Sequence, residues 1–361
     1  SSSLRALDQA WRAQPQDLPA ALAYARAVFT LGFNEGDLRW FGSAKAALTP
    51  WWQAADLPAD GHFMRGLVKQ GFHDFDGGLQ DINRAIALDP ARAEFWSWRF
   101  ALHLLLANMD AAQQDTEDIA RRFGPKEGQI YSAVLAYRTG QALAAVQKLS
   151  ASIRLPDYQD AASQVWIGFH LGEAHRVAQQ PEQAIALWQR LLLVHPQSHL
   201  LRLSLADLLN QQRRFQQAKA VATANSTQLN SNLTDALLMQ ALLASRGLKA
   251  PDEAALAQQM AARLQSQALR QESLIERPKL IYQIAYGQDL AAGLALSIEN
   301  WQQQKEPPDA VLFAQAALAR QQARAAEPLV QWAQTTGYTD PQLAPLITQL
   351  KAHPSWSKER P

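Results

Sequence analysis

The sequence predicts an all-α protein, a right-handed α-solenoid of about ten helical hairpins when the chain length is divided by the repeat spacing. Ala, Leu, Gln and Arg recur in runs of 12 to 16 residues, and Gly and Pro separate these runs, which is typical of consecutive helices. No stretch alternates apolar and polar residues with β-branched side chains, so we expect no strand. Small and apolar residues recur at a spacing of 34, which indicates a repeated pair of helices.

The composition limits what the chain can do. It has 361 residues, 48% of them hydrophobic, which is enough for an extended buried core. Its 34 Lys and Arg nearly balance 33 Asp and Glu, so a net charge of +1 provides no field to hold nucleic acid. The absence of Cys removes disulfides, thiolate metal sites and cysteine nucleophiles. No run of 18 apolar residues is present, so we expect no transmembrane segment.

The first predicted segment, residues 1–58, consists of irregular helices rich in aromatic side chains. Of the 30 aromatic residues in the chain, 16 lie in the first 123 positions. The tryptophans of this N-terminal third include Trp40, Trp51, Trp52, Trp96 and Trp98. Such side chains commonly fill gaps between non-ideal helices. They also suit a pocket for an apolar or sugar-like ligand, and the sequence leaves both interpretations open.

The second predicted segment, 59–126, begins with a regular unit over residues 59–92. Small, apolar and Pro residues stand at fixed offsets in this unit: Gly66, Gly78, Ile82, Ala85, Leu88 and Pro90. Small residues let two helices approach closely, and a bulky side chain at Gly66 or Gly78 would separate them. Pro90 disfavours helical dihedral angles at the residue before it and so ends the second helix.

The most regular segment is 165–232, which contains two tandem units. The first places a Leu-Gly pair, an Ala, an aromatic residue and a Pro at Leu171, Gly172, Ala184, Trp188 and Pro196. The second continues the pattern with Leu205, Ala206, Leu209 and Ala218. Ala184 and Ala218 are 34 residues apart, so both units have the same length.

Segments 127–164 and 233–361 are predicted as divergent hairpins, the second ending in a helical cap. Gly140 and Gly247 mark the turns between paired helices. Breaks between the C-terminal helices are predicted at Gly287, Pro307, Pro308 and Gly337. No low-complexity linker interrupts the chain, so we expect one continuous array rather than separate domains.

These units resemble the tetratricopeptide repeat (TPR), a helical hairpin of 34 residues. The resemblance covers about a third of the chain closely and most of the rest loosely. Residues 47–52, 73–76 and 88–90 also look like a set of bacterial TPR proteins with no known activity. The resemblance implies a groove lined by the first helix of each hairpin, in which a peptide or a partner helix binds.

The residues at the family's groove positions are Trp166, Phe169, Glu173, Arg176, Leu200, Leu203, Asp207, Asn210, Asp60 and Phe63. One TPR subtype binds a peptide C-terminal carboxylate with Lys and Asn at two of these positions. Here the two positions carry Phe169 and Glu173 in one unit, so we expect no such clamp. The mixture of apolar and polar side chains suits an amphipathic helix or a loop. Packing against neighbouring repeats is the alternative use of the apolar members.

The histidines and glycines do not form a recognisable reactive site. His170 and His175 are five residues apart, which places them about 140° apart around a helix. Pro196 separates His195 from His199 at a helix junction. No Gly-rich phosphate loop and no strand-borne nucleophile elbow is present. We therefore expect no catalytic residue, no metal and no cofactor.

The sequence thus predicts a non-enzymatic scaffold that binds a partner protein, helix or peptide, and no nucleic acid. One alternative is a small-ligand-binding protein or enzyme that uses an aromatic pocket in the N-terminal third. Another is an architectural homo-oligomer in which a terminal hairpin docks into a neighbouring groove. The lack of Cys and of an initial Met weakly favours the periplasm or cell envelope over the cytoplasm, and any signal peptide or lipid-anchor sequence would already be gone.

Overall fold

The computed structural model describes residues 2–152, 154, 157–224, 233–269 and 274–357. In these residues the chain forms twenty α-helices and no β-strand, which confirms the predicted α-solenoid of helical hairpins. Two compact units are present, Ser1–Gly128 and Gln129–Pro361. The five segments expected from the sequence stay a prediction, and residues 225–232 of the most regular segment lie outside the described residues.

The helices of the first unit are α1 Ser2–Ala13, α2 Leu18–Glu35, α3 Arg39–Leu48, α4 Ala59–Gly71, α5 Phe75–Leu88, α6 Ala93–Leu105 and α7 Met109–Phe123. Helix α8, Pro125–Arg138, contains the boundary. Those of the second unit are α9 Ala142–Ser152, α10 Ala161–Val177, α11 Pro181–Val194, α12 His199–Gln211, α13 Phe215–Ala222, α14 Asp235–Leu248, α15 Glu253–Leu269, α16 Arg277–Tyr286, α17 Leu290–Gln303, α18 Pro307–Ala319, α19 Glu327–Thr336 and α20 Leu343–Ala352.

The two helices of a hairpin are joined by one recurring backbone turn. At seven turns of the described chain a residue after the first helix has a positive φ: His73, Ala107, Gly140, Gln179, Arg213, Lys249 and Gln321. The following N–H donates to a carbonyl five residues earlier, as Arg214 does to Leu209 at 2.8 Å. This Schellman-type bond satisfies a carbonyl that the helix end would leave free. Gln179 and Arg213 are 34 residues apart, so the turn follows the period of the repeat.

Glycine marks only one of these turns, which explains where the sequence-based boundaries differ from the structure. A turn was expected at Gly247, but α14 continues past it and the left-handed residue is Lys249. Gly247 lies inside the helix, where a Cβ would meet the Phe215 ring at 2.6 Å. Pro307 and Pro308 open α18 rather than standing before it, since Pro is tolerated in the first helical turn.

Close approach within the hairpins depends on small residues, as predicted. Gly66 and Gly78 face each other across α4 and α5, and a Cβ on either would lie 3.0 Å from the other's carbonyl oxygen. A Cβ on Gly172 would lie 2.1 Å from the indole nitrogen of Trp188. Trp188 is fully buried and donates that N–H to the Gly168 carbonyl at 3.2 Å. A side chain at Gly172 would therefore force α10 and α11 apart.

The hairpins of the second unit stack in two layers. The first helices α10, α12, α14, α16 and α18 each pack on the next one, and α11 and α13 cover α10 and α12 on the other side. The core between the layers contains Trp188, Leu201, Leu205 and Leu209, all with at most 1% exposure. We call the surface of the first helices that is turned away from their hairpin partners the inner face.

Replacing Arg213 with Gly should stabilise the second unit. An L side chain in the left-handed region costs about 1 kcal/mol relative to Gly, and Arg213 is exposed with a φ of 59°. We expect Arg213→Gly to raise the melting temperature, measured by circular dichroism, by roughly 2–4 °C. Gln212 is the matched control because it is also exposed but has a φ of −80°. Gln212→Gly should lower the melting temperature, and equal effects of both changes would contradict this account.

Candidate protein-binding face

The predicted groove residues of the second unit lie on two adjacent first helices. Helix α10 contributes Trp166, Phe169, Glu173 and Arg176, and α12 contributes Leu200, Leu203, Asp207 and Asn210. All eight are half-buried. The structure brings them together because residues three or four apart share one side of a helix and because α10 packs on α12.

The apolar members of this set pack between neighbouring repeats. The Trp166 ring lies 5.1 Å from the Tyr131 ring of α8, in the preceding repeat. The Phe169 ring instead lies 6.4 Å from that of Trp188, in the second helix of its own hairpin. Leu203 packs against the buried cluster of α14 and α15 that includes Met239. Packing between repeats, one of the two uses left open by the sequence, is therefore observed. Contact of the remaining exposed surface with a partner stays a prediction.

The polar members form hydrogen-bonded pairs. Arg176 holds Glu173 through two bonds of 3.0 Å, from Nε to Oε1 and from Nη2 to Oε2. Asn210 donates to the side-chain oxygen of Gln240 at 2.8 Å, and Gln240 donates to Asp207 at 3.3 Å. Burial raises the pKa of the Asp207 carboxyl. Charged and amide groups therefore alternate with the apolar side chains along α10 and α12.

The two groove candidates of the first unit have different surroundings. Phe63 is fully buried, and its ring centroid lies 4.5 Å from that of Phe95 in the next hairpin. Asp60, in the first turn of α4, pairs with Arg92 at 3.1 Å and with Arg26 at 3.9 Å. Of these two residues, only Asp60 has side-chain surface that a partner would reach.

Within the second unit, the C-terminal helices return to the first helices. Arg138, at the end of α8, pairs with Glu306 at 3.1 Å. Arg176 Nη1 lies 3.4 Å from Asp340 Oδ2. A Cβ on Gly140 would lie 2.5 Å from the carbonyl oxygen of Gly337, so the two backbones are in direct contact. The protein's own C-terminal residues thus cover the α8–α10 end of the inner face.

Tyr338 and Asp340 make the covering contact. Tyr338 is 2% exposed, and its hydroxyl donates to Asp340 Oδ2 at 2.7 Å. Burial, with nearby acidic groups, raises the pKa of Tyr338, so the hydroxyl keeps its proton. Burial alone would lower the pKa of Arg176, but the neighbouring Glu173 and Asp340 outweigh it and raise that pKa well above its ordinary value. One guanidinium therefore holds two carboxylates.

Tyr137 and His170 form a second buried pair beside it. The Tyr137 hydroxyl lies 2.5 Å from His170 Nδ1. Burial raises the pKa of Tyr137 and, together with the charge of Arg138, lowers that of His170 to about 3. Sequence reasoning missed Tyr137 and Arg138 because their repeat is divergent. Tyr137 stands three residues before the left-handed Gly140, and Arg176 stands three residues before the left-handed Gln179. This equal distance to the turn is the signal that aligns the two residues.

Three of the tryptophans considered for an aromatic pocket, Trp52, Trp96 and Trp98, lie in the first unit and take part in separate contacts. Trp96 is 4% exposed, donates its indole N–H to the Pro90 carbonyl at 3.0 Å and lies under two guanidinium groups. Trp98 packs edge-on against Phe29 with 6.0 Å between the ring centroids. Trp52 lies beneath two lysine ammonium groups. These contacts join different helices, and an aromatic ligand pocket stays a prediction.

For a metal site, a membrane span or a ligand cavity, the described residues offer only an open polar depression. In the part of the chain that the structure describes, no group of three or more His, Asp or Glu side chains is placed to bind a metal ion. Among the described helices, none has both the length and the apolar composition needed to cross a membrane. An open depression of about 680 Å³ in the second unit is lined by mostly polar residues, among them Gln288, Asp289, Gln321 and Gln322.

The fold is similar to that of TPR proteins of known structure. A chain of the Cut9–Hcn1 hetero-tetramer of the APC/C aligns with a TM-score of 0.52 at 12% sequence identity, over 95% of this chain and 66% of that chain. The protein thus spans just under two thirds of the length of that chain. This likeness confirms the TPR-type α-solenoid predicted from the sequence.

Two further structures align over most of this chain with low scores. A chain of Naa15/Naa10 bound to HypK-THB gives a TM-score of 0.26 at 12% identity, over 96% of this chain and 63% of that one. The P58(IPK) TPR domain gives 0.23 at 15% identity, over 95% of this chain and 100% of that one. No family profile and no curated protein sequence matches the chain.

Arg176→Gln should destabilise the second unit strongly. It leaves Glu173 and Asp340, whose side chains are 20% and 2% exposed, without their shared cation. Removing one partner of a buried ion pair costs about 3–5 kcal/mol, measurable by urea unfolding. The control is Arg214→Gln, because its partner Glu182 is 63% exposed and such surface pairs contribute less than about 1 kcal/mol. Equal losses would show that the Arg176 cluster stabilises no more than a surface pair.

The stability of the second unit should fall as the pH drops from about 6.5 towards 4, partly because of His170. Its pKa is about 3 in the folded protein because of burial, whereas an unfolded histidine titrates near about 6.5. The unfolded chain therefore binds more protons in this interval, and acid favours unfolding. His170→Asn keeps an acceptor for Tyr137 and removes the titration. Its melting temperature should depend less steeply on pH, and an unchanged slope would exclude His170 as the responsible group.

Proposed function

We propose that this protein is a non-enzymatic scaffold that binds a partner protein, helix or peptide along the inner face of α10 and α12. The observation that carries the proposal is that a non-helical segment, residues 337–340, already lies against this face through Arg176. A surface that receives polypeptide from its own chain has the shape and the charge to receive it from another. Trp166 and Leu200 keep part of their surface exposed on the same two helices.

The fold supports the same proposal. Stacked hairpins expose a row of first helices, and the TPR resemblance implies that partners bind along that row. The solved structure with the similar fold is a hetero-tetramer of Cut9 and Hcn1, so that protein assembles with another kind of chain. The positions of Phe169 and Glu173 also fit the expectation that this face does not use the Lys and Asn clamp of one TPR subtype.

The chemistry of the inner face favours binding over catalysis. The Tyr137–His170 pair is the closest acid–base arrangement there. Burial raises the pKa of Tyr137 and lowers that of His170 to about 3, and efficient proton transfer needs a pKa near the working pH. Neither group is therefore suited to exchange protons at neutral pH. The pair instead fixes the ends of α8 and α10 relative to each other.

The two alternatives have different support. The tryptophans of the first unit contact their own neighbours, so the aromatic-pocket alternative has less support than the scaffold. The homo-oligomer alternative is favoured by one observation, the contact of the C-terminal hairpins with α8 and α10 in the same chain. Exchange of such a terminal element between copies is a low-cost route to a dimer.

Site-specific photo-crosslinking tests the scaffold. A photoreactive phenylalanine derivative replaces Trp166 or Leu200 on the inner face, or Leu193 on α11, in the full chain. Leu193 is the matched control because it is apolar, 85% exposed and on the second helix of its hairpin. In extract of the cells that express the protein, we expect partner crosslinks from positions 166 and 200 at several times the yield from 193.

The pattern of products separates the alternatives. Equal yields at all three positions, or products from 193 alone, would show that the inner face is not the binding surface. Products that join two copies of this chain would favour the homo-oligomer. Circular dichroism of each variant verifies that the photoreactive residue leaves the fold intact.

A further inference from the structure

We propose that the α8–α10 end of the inner face is a receptor for a peptide that carries an aromatic residue followed, two positions later, by a carboxylate. The protein's own Tyr338 and Asp340 occupy this receptor until a partner segment replaces them. The inference rests on the proposed scaffold function and specifies the chemistry of its partner. Four features of the second unit support it.

The first feature is the character of the occupying segment. Residues 337–340 are not helical and connect α19, which ends at the left-handed Gly337, to the turn before α20. Tyr338 and Asp340 are buried, whereas Thr339 between them is exposed. Side chains one residue apart point to opposite sides of an extended segment. The carboxylate of Asp340 therefore reaches Arg176. The Tyr338 ring packs on Trp332 of α19, with 5.5 Å between the ring centroids, and its hydroxyl is bonded to that carboxylate.

The second feature is the balance of charge. The receptor side holds the guanidinium groups of Arg138 and Arg176, and its nearest fixed anion is Glu173, which Arg176 binds. Glu306, directly before α18, pairs with Arg138, and Asp340 of the occupying segment adds a second carboxylate to Arg176. When the segment leaves, Arg176 keeps Glu173 alone, so an acidic residue of the partner would restore the carboxylate that Arg176 loses.

The third feature is unused binding capacity. Arg138 is 6% exposed, and its Nη1 donates to Glu306 at 3.1 Å. Its Nε and Nη2 atoms are buried with no hydrogen-bond partner among the described residues. These two atoms form the edge of the guanidinium that binds a carboxylate with two parallel bonds. A buried donor without a partner costs free energy, and a second carboxylate of the partner, beside the one that replaces Asp340, would remove that cost.

The fourth feature is space for an incoming backbone. Gly140 lies in the turn between α8 and α9 with a φ of 87°. A Cβ at this position would lie 2.5 Å from the Gly337 carbonyl oxygen. Any other residue would therefore exclude the occupying segment. At the other recurring turns of the described chain this position carries a side chain, so the glycine is specific to the receptor end.

The bond between Arg176 and Asp340 is the longest of the three that Arg176 makes to carboxylates. The bond from Arg176 Nη1 to Asp340 is 3.4 Å long, against 3.0 Å for each of its bonds to Glu173. Asp340 also accepts the backbone N–H groups of Gln342 and Leu343, at 2.8 and 2.6 Å, at the start of α20. Asn serves this capping role as well as Asp does, so Asp340→Asn removes the charge and keeps the cap.

Fluorescence anisotropy with a labelled peptide of residues 334–344 tests the proposal. Full-length Tyr338→Ala/Asp340→Asn, in which the receptor is vacated, should bind the peptide about tenfold more tightly than the wild type, whose own segment competes. A second released variant, Tyr338→Phe/Asp340→Asn, keeps the buried ring in case the first does not fold. It should show a smaller gain in the same direction. Adding Arg176→Gln to either released variant should return the affinity to the wild-type value. Because this substitution also destabilises the second unit, the comparison uses a temperature at which circular dichroism shows the helices intact.

Two controls separate the receptor from general exposure of apolar surface. The first is the same peptide with Tyr338→Ala and Asp340→Asn, which should not bind. The second is the protein variant Tyr286→Ala/Glu253→Gln, which removes another tyrosine–carboxylate bond, of 2.8 Å, in the same unit. It should bind the peptide no better than the wild type. An equal gain in this variant would overturn the proposal.

Other outcomes are equally decisive. A folded released variant that binds the peptide no more tightly than the wild type shows that the segment is a permanent part of the fold. Binding that survives Arg176→Gln also contradicts the receptor. Partner crosslinks at position 166 without any gain in peptide binding would support the scaffold function and contradict the proposed peptide receptor. Peptide binding without partner crosslinks would support the receptor and contradict the scaffold function.

Discussion

The arrangement of the second unit depends on Arg176, a guanidinium that holds carboxylates from two distant parts of the chain. It binds Glu173 one turn earlier in α10 and reaches Asp340, which lies 164 positions later. Removal of two carboxylates from water is costly, and a planar group with five donors offsets that cost better than an ammonium group would. The backbones of Gly140 and Gly337 are in contact at the same place, because the α19–α20 connection lies against α8 and α10.

The recurring turn explains why these side chains meet at one end of the inner face. Arg176 stands three residues before the left-handed Gln179, and Asn210 stands three before Arg213. The turn fixes where each first helix ends, so the residue three positions earlier occupies the same place in every repeat. Tyr137 holds that place in α8. A backbone constraint that repeats along the chain therefore aligns side chains that share no sequence pattern.

The hairpins could be predicted from the sequence, but the contact between the C-terminal residues and the first helices could not. Gly172 and Trp188 could be placed because close helix approach requires a small residue opposite a large one, which leaves a signal at fixed spacing. Most turns carried no such signal, since residues such as Arg213 occupy the left-handed region at a cost of about 1 kcal/mol that neighbouring packing offsets. The Arg176–Asp340 contact could not be predicted either, because 34 basic and 33 acidic residues offer many equivalent pairs.

A segment bound within its own chain sets a demanding condition for any partner. Its effective concentration is about millimolar for a short flexible connection, and the apparent affinity of a competitor falls in proportion to the open fraction. A partner that reproduced only the contacts of Tyr338 and Asp340 would therefore compete poorly. It must also use surface that the internal segment leaves exposed, such as Trp166 and Leu200 on α10 and α12. The part of the partner that carries the carboxylate would therefore confer selectivity. The rest of the partner, bound along the half-buried apolar side chains of α10 and α12, would supply the affinity that displaces the internal segment.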